Sequence, residues 1–319
     1  MNELHESALT LVQNCMGIKP EETVLVLTDA ECLSIGHSLF NACKELCKEV
    51  FITEMVSREI NGQEPPYQIA ELMKLVDVVI APLSKSITHT DAKRNACATN
   101  TRVGTMPGIT EDIMKRTMKA DYNRIADLTE KVTDLLTKGK LVHLTTHLGT
   151  DITIPIEGIT AIPSTGLITQ PGQSGNLPSG EAFLMPEEGK SEGVYYVDAS
   201  LAGIGLIKDE PIKITIEKGL AVKFEGGQQA ADFENMVNKI GEGARNLAEL
   251  GIGTNYLAEI NGTVLEDEKV LGTIHLALGN NVSMGGTVNV GFHVDGIITK
   301  PTLKIDDILL LEDGKMLIE

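Results

Sequence analysis

The chain has 319 residues, with 27 Lys plus Arg against 45 Asp plus Glu, a formal charge of −18. A surface of that sign repels nucleic-acid phosphates and anionic lipid, so neither is an expected partner. Aromatic residues make up 3% and Trp is absent, which removes base-stacking platforms and aromatic sugar clefts and leaves polar or metal-based recognition.

The N-terminus, MNELHESALTLVQNC, sets acids on a helical apolar spacing where a secretion signal would show a basic start and a long apolar run. No apolar stretch approaches the ~18 residues that span a bilayer. Cys15, Cys32, Cys43, Cys47 and Cys97 all fall in the first third without a repeating spacing, which suits reduced, buried thiols. Cys43 and Cys47 stand four apart, but no His or Cys cluster nearby completes a ligand set. The expected location is the cytoplasm.

The length exceeds the usual ~100–200 residues of one domain, and the sequence pattern divides it at about 140. In the first part, the β-branched runs ETVLVLTD (22–29), EVFITEMV (49–56) and DVVIAPL (77–83) alternate with the helical stretches HSLFNACKELCK and QIAELMKLV. Near-continuous apolar strands joined by helices predict a parallel sheet covered on both faces, a Rossmann-like α/β domain over 1–140. TRVGTMPG (101–108) reads as its fourth strand, and a helix from Ile109 to about Leu136 closes it. The first strand's exit, TDAECLSIG, lacks the Gly-rich turn a bound dinucleotide needs.

From Leu141 the pattern changes to short alternating strands with Gly and Asp turns: LVHLTT, TDITIPI, GVYYVDAS, PIKITIEKG and AVKFEGG. An α+β domain rich in antiparallel strands is expected over 141–319. One helix interrupts it, from about Gln228 to Leu250, with Phe233, Met236, Val237, Ile240, Ala244 and Leu247 at helical spacing and Gly251 placed as its cap. Residues 1–140 carry a net charge of −4 and 141–319 one of −14. Such an excess is a solvated surface or a site for bound cations.

Alternation in VNVGFHVDG puts Val288, Val290, Phe292 and Val294 on one face of a strand and His293 and Asp295 on the other, roughly 6.6–6.8 Å apart along it and able to converge on an ion. In GTIHLALG, Ile274, Leu276 and Leu278 share one face and His275 interrupts the other. A buried imidazole bonded to a carbonyl, or a surface His beside a solvated Asp, would give the same local patterns. Carboxylates are available: Glu181 follows the constrained turn GNLPSG, and Glu249 falls at the end of the expected helix. There it faces the negative end of the helix dipole, unfavourable by about 0.3–1 kcal/mol unless a cation compensates.

Taken in order, NLPSGE, AELGIGTN, GTIHLALG and FHVDG are similar to the motifs of the M29 metallo-aminopeptidases, the thermophilic aminopeptidases that include aminopeptidases T and S. The resemblance covers most of 141–319, with weaker support from SITHTDAKRNACATNTRVGTMPG. It implies two domains, a dinuclear site for Zn, Co or Mn in the C-terminal domain, a homodimer, and release of N-terminal amino acids from short peptides. Position by position, Glu181, Glu249, His275, His293 and Asp295 match the metal ligands, with Glu249 placed to bridge.

Two departures stand out. The Tyr that the family carries seven residues after the first of these His is Val282 here, within the 17 residues between His275 and His293. The Glu five before that His is Val270, which leaves Glu268 or its neighbours to substitute after a small shift, with Glu268 the expected proton shuttle. A ring-cleaving dioxygenase of hydroxylated pyridines resembles the same family in fold and in its His-x-Asp iron ligands, and gives the rival enzymatic reading. A non-catalytic metal-binding scaffold is the third. The leading expectation is metal-assisted peptide hydrolysis, in which two ions about 3.5–4 Å apart activate a bridging water.

Overall fold

The computed structural model describes residues 2–208 and 210–318. Contacts divide the chain into one unit of 1–123 with 164–179 and another of 124–163 with 180–319.

In the first unit the β-branched runs form strands Thr23–Thr28, Glu49–Glu54, Val78–Leu83 and Arg102–Pro107. They pair in parallel in the order 49–54, 23–28, 78–83, 102–107, and Ser174–Asn176 adds a fifth strand beside the last. The 78–83 strand is buried throughout, as a central parallel strand must be when helices cover both faces. Helix Leu33–Leu46 returns the chain between the first two strands and buries Ile35, Leu39, Ala42 and Cys43. Cys43 and Cys47 are buried free thiols.

The helix expected from Ile109 to Leu136 is two helices, Glu111–Thr117 and Tyr122–Lys138. Thr110 caps the first by accepting from the Ile113 amide, and Asp121 opens the second by accepting from the Asn123 amide. Most of the second helix belongs to the other unit, where Val132 and Leu136 join the apolar core.

That other unit contains two antiparallel sheets. One runs in the order Leu220–Glu225, Ile212–Glu217, Glu192–Val197, Asp151–Pro155, Leu141–Thr145, Thr302–Ile305, Ile308–Glu312, Lys315–Met316. The other, the site sheet, carries in sequence of neighbours Ser200–Leu201, His293–Ile298, Ile274–Gly279, Leu247–Gly253 and Glu181–Leu184. Leu184, Leu250, Ile252, Leu276, Val294 and Ile298 of the site sheet share a core with Val142, Leu144, Ile152 and Ile214 of the first. In 181–184, 249–253, 274–279 and 293–298 the even-numbered residues thus face the core, and the period of two turns the odd-numbered residues to the opposite face, whereas Leu201 and Leu247 join the core from odd positions.

Two sequence expectations are corrected here. The helix is Gln228–Ile240, not 228–250; it stops at Gly241, whose φ of 102° few other residues tolerate. A short turn follows, and Leu247–Gly253 is a strand buried at every position. Glu249 therefore sits within a sheet, Gly251 is no helix cap, and the helix-dipole argument for Glu249 lapses. The strand expected from Val288 begins only at His293. Phe292 still packs on the core, stacked with Phe233 at 6.4 Å, so the alternation marked the right face but not the strand's start. No helix among the described residues is long and apolar enough to cross a membrane.

Candidate metal centre

Cross-strand register assembles the site. Glu181 stands opposite Gly253, Gly251 opposite His275, Glu249 and Asp295 both opposite Ala277, and His293 opposite Gly279. Directly paired residues share a face, so glycine and alanine alternate with five metal-ligating side chains. The small residues supply the room. A Cβ on Gly251 would lie 1.9 Å from His275 Nε2, and one on Gly253 2.1 Å from the Val270 carbonyl. A register shift between Leu247 and Glu249 keeps Leu247 in the core while Glu249 turns to the site.

The five expected ligands come together. His275 Nε2 lies 3.3 Å from Glu249 Oε1 and 3.4 Å from Glu181 Oε2, and His293 Nε2 lies 3.2 Å from Glu249 Oε2 and 3.6 Å from Asp295 Oδ1. Glu249, His293 and Asp295 each offer a donor within 4.8 Å of the others. The Asn280 carbonyl lies 2.7 Å from His293 Nδ1. A proton donated there leaves Nε2 bare toward the carboxylates, the tautomer a metal requires. His275 is fully buried, whereas the His293 side chain is 31% exposed, which marks the open side.

Charge is concentrated here. Burial alone would raise the Glu249 carboxyl, but hydrogen bonds from His275 and His293, and their charges, hold it well below the usual range. Asp295 follows the same pattern, its burial outweighed by His293. Burial disfavours a charged His275, yet the Glu249 hydrogen bond and the charges of Glu181, Glu249 and Asp295 push it up to about 9. His293 is raised well above its ordinary value against the same burial cost, chiefly by Asp295. Protons on the imidazoles thus occupy the electrostatic role of a cation. Glu181 Oε2 and His275 Nδ1 are buried without a hydrogen-bond partner, and the donor set of imidazole nitrogens and carboxylate oxygens fits a divalent ion.

Glu268, the expected proton shuttle, is raised to about 8, mainly by burial with Glu181 and Asp295 adding to it and Lys269 opposing. Its neighbours cannot substitute. Glu266 accepts from the Glu259 amide and the Asn261 side chain, and Asp267 accepts from Ser200 Oγ and the amides of Asn261 and Gly262.

Sequence reasoning missed Lys269. It is wholly buried, with Nζ 2.7 Å from Glu181 Oε1 and paired also with Glu268. In LEDEKVLG it reads as part of a solvated charge run. The signal available was its place six residues before His275, where a strand about to enter the core leaves little room for solvent.

The family model described as NicX, 2,5-dihydroxypyridine 5,6-dioxygenase, matches residues 3–318. A 2,5-dihydroxypyridine 5,6-dioxygenase of Pseudomonas putida is 23% identical over 185 residues, 54% of this chain. That match spans about half, 53%, of the relative's length. The solved 2,5-dihydroxypyridine dioxygenase of Pseudomonas putida KT2440 superimposes with a TM-score of 0.86 at 17% identity, covering 99% of this chain and 97% of that one. AmpT from Thermus thermophilus gives 0.71 at 18% identity, covering 99% of each chain.

These findings overturn the expected aminopeptidase function and its hydrolase and M29 peptidase assignment: the full-length match is to a dioxygenase family, and AmpT is a likeness of fold. The misreading has a physical source. The motifs that suggested it position metal donors on a sheet, and that scaffold does not specify the reaction. At the two positions where the M29 resemblance implies a Glu and a Tyr, this chain has Val270 and Val282. Val282 is 45% exposed in a short turn, and the Val270 carbonyl accepts from the Thr273 amide and hydroxyl.

Proposed function

Because the chain belongs to the 2,5-dihydroxypyridine 5,6-dioxygenase family, we propose that it is a non-haem ferrous-iron dioxygenase that opens a dihydroxylated nitrogen heterocycle. The donor set carries this reading. His275 and His293 converge with Glu249 and Asp295, providing the two imidazoles and a carboxylate that suit ferrous iron with open positions. When bound, ferrous iron supplies electronic coupling between the electron-rich ring and O2, both of whose atoms enter the product as the C5–C6 bond breaks, without an external reductant.

The chain's own groups position and protonate. The Asn280 carbonyl fixes the His293 ring, and Glu249 lies between the two imidazoles. Glu268, raised to about 8 chiefly by burial, is suited to exchange a proton with a ring hydroxyl. The exposed edge of His293 faces the side by which ring and oxygen enter.

The test is anaerobic loading of the metal-stripped protein with ferrous ion, followed by 2,5-dihydroxypyridine and air-saturated buffer, with oxygen consumption and loss of ring absorbance recorded together. Equimolar loss of both is expected, and neither should occur in His293→Ala. An iron-loaded wild type that consumes no oxygen with this or other dihydroxylated pyridines would refute the reading.

A further inference from the structure

We propose that Lys269 is the built-in second cation of this centre, holding with its ammonium the carboxylates a second metal ion would need, so that each chain binds one divalent ion. The inference rests on the metal reading above and assigns the lysine a role within it.

Lysine is almost never fully buried unless paired, because its charge is strongly hydrated. Lys269 is 0% exposed. The local turn does not account for it: Glu266 and Asp267, equally buried beside it, are held by the amides and side chains of Ser200, Glu259, Asn261 and Gly262. The lysine reaches instead to Glu181 and Glu268.

Glu181 is thereby divided. Its Oε1 meets the ammonium at 2.7 Å, while Oε2 faces His275 Nε2 at 3.4 Å and takes no hydrogen bond. Glu249, His293 and Asp295 each bring a donor within 4.8 Å of the others, and Glu181 is not among that group. A divalent ion on Glu181 would stand within a few ångströms of a fixed positive charge in a site screened from water, where like charges repel most strongly. One ion can occupy the set formed by Glu249, His293 and Asp295 together with His275, whose Nε2 lies 3.3 Å from Glu249 Oε1. Lys269 is thus a positioning residue: it fixes Glu181, and Glu181 in turn faces His275.

The test is titration of the metal-stripped full-length chain with Mn(II), measuring bound metal per chain and the electron paramagnetic resonance of the bound ions. The wild type should bind one ion with the spectrum of isolated Mn(II), and Lys269→Arg should do the same. Lys269→Met should admit a second ion and show an exchange-coupled pair. Two ions in the wild type, or one in a folded Lys269→Met, would overturn the proposal while leaving the metal site intact. No bound ion in the wild type would instead remove the metal reading itself. Should Lys269→Met fail to fold by circular dichroism, Glu181→Gln decides. It should keep one ion with affinity changed by less than about tenfold, and loss of that ion would overturn the proposal.

Discussion

His293 supplies a donor and Gly251 supplies the space for another, so each can be tested by one atom-scale change. His293→Ala should abolish stoichiometric metal while lowering the stability of the metal-free protein only modestly, since its side chain is 31% exposed and Val294, not His293, faces the core. Metal analysis beside a thermal melt on one sample separates the two effects. Gly251→Ala puts a methyl 1.9 Å from His275 Nε2. The imidazole must move, metal binding should fall, and overpacking should cost about 1–3 kcal/mol in denaturant unfolding. Protonation gives a third expectation. His275, ordinarily near 6.5, is pushed up to about 9, and Glu268, ordinarily near 4.5, to about 8. Both folded values are raised, so their contributions to the metal-free fold are complete below the ordinary values and are lost as pH rises through about 8 to 9. A metal ion needs the neutral imidazole. From pH 6 to 9 the metal-free protein should therefore weaken in denaturant titrations while metal affinity measured by calorimetry rises. A flat affinity over that interval would contradict the protonated imidazoles. The five converging side chains were legible because each interrupts an apolar or turn pattern with a titratable group. Lys269 was not, since its neighbours are charged and nothing local reveals their burial.

At the scale of elements, the site depends on one sheet that keeps its even and odd faces apart. This was legible in GTIHLALG, where alternation alone gives the two faces. It was misread in 241–253, because Ala244, Leu247 and Leu250 satisfy a helical spacing while AELGIG is also a strand buried on both sides. Gly241 decides between them. With φ 102° and ψ −159° it occupies a region essentially closed to other residues, so the helix stops there and Glu249 is released to the sheet. Gly241→Ala should thus cost about 1–3 kcal/mol in equilibrium unfolding, although a Cβ there meets nothing within 4 Å. An unchanged stability would show that the turn after Ile240 is not set by this backbone angle. The M29 resemblance led to the right fold but the wrong reaction. The sheet is written in its alternation, whereas the motifs shared with M29 do not specify a reaction, and at 270 and 282 valine stands where that resemblance implies Glu and Tyr.

Over the whole molecule, the negative charge is concentrated in the same part of the chain as the candidate metal centre, residues 141–319 carrying −14 of the −18. In the antiparallel unit the buried carboxylates of Glu181 and Glu249 lie together with those of Glu268 and Asp295, and without an ion the balance comes from Lys269 and protonated imidazoles. An ion that binds the folded chain alone stabilises it by RT ln(1 + [L]/Kd), about 2.7 kcal/mol at a hundred times Kd. For a unit of this size that should raise the melting temperature by roughly 5–10 °C, an increase reversed by chelator. The gain should also be local. Hydrogen exchange followed by mass spectrometry should slow on metal addition in Glu181–Leu184, Leu247–Gly253, Ile274–Gly279 and His293–Ile298, the strands that bear the donors. Strands Thr23–Thr28 and Val78–Leu83 belong to the other unit and contribute no donor, so their exchange should stay as it was. Equal slowing in both units would mean that the ion acts through the stability of the entire chain, and slowing confined to the parallel sheet would place the metal elsewhere.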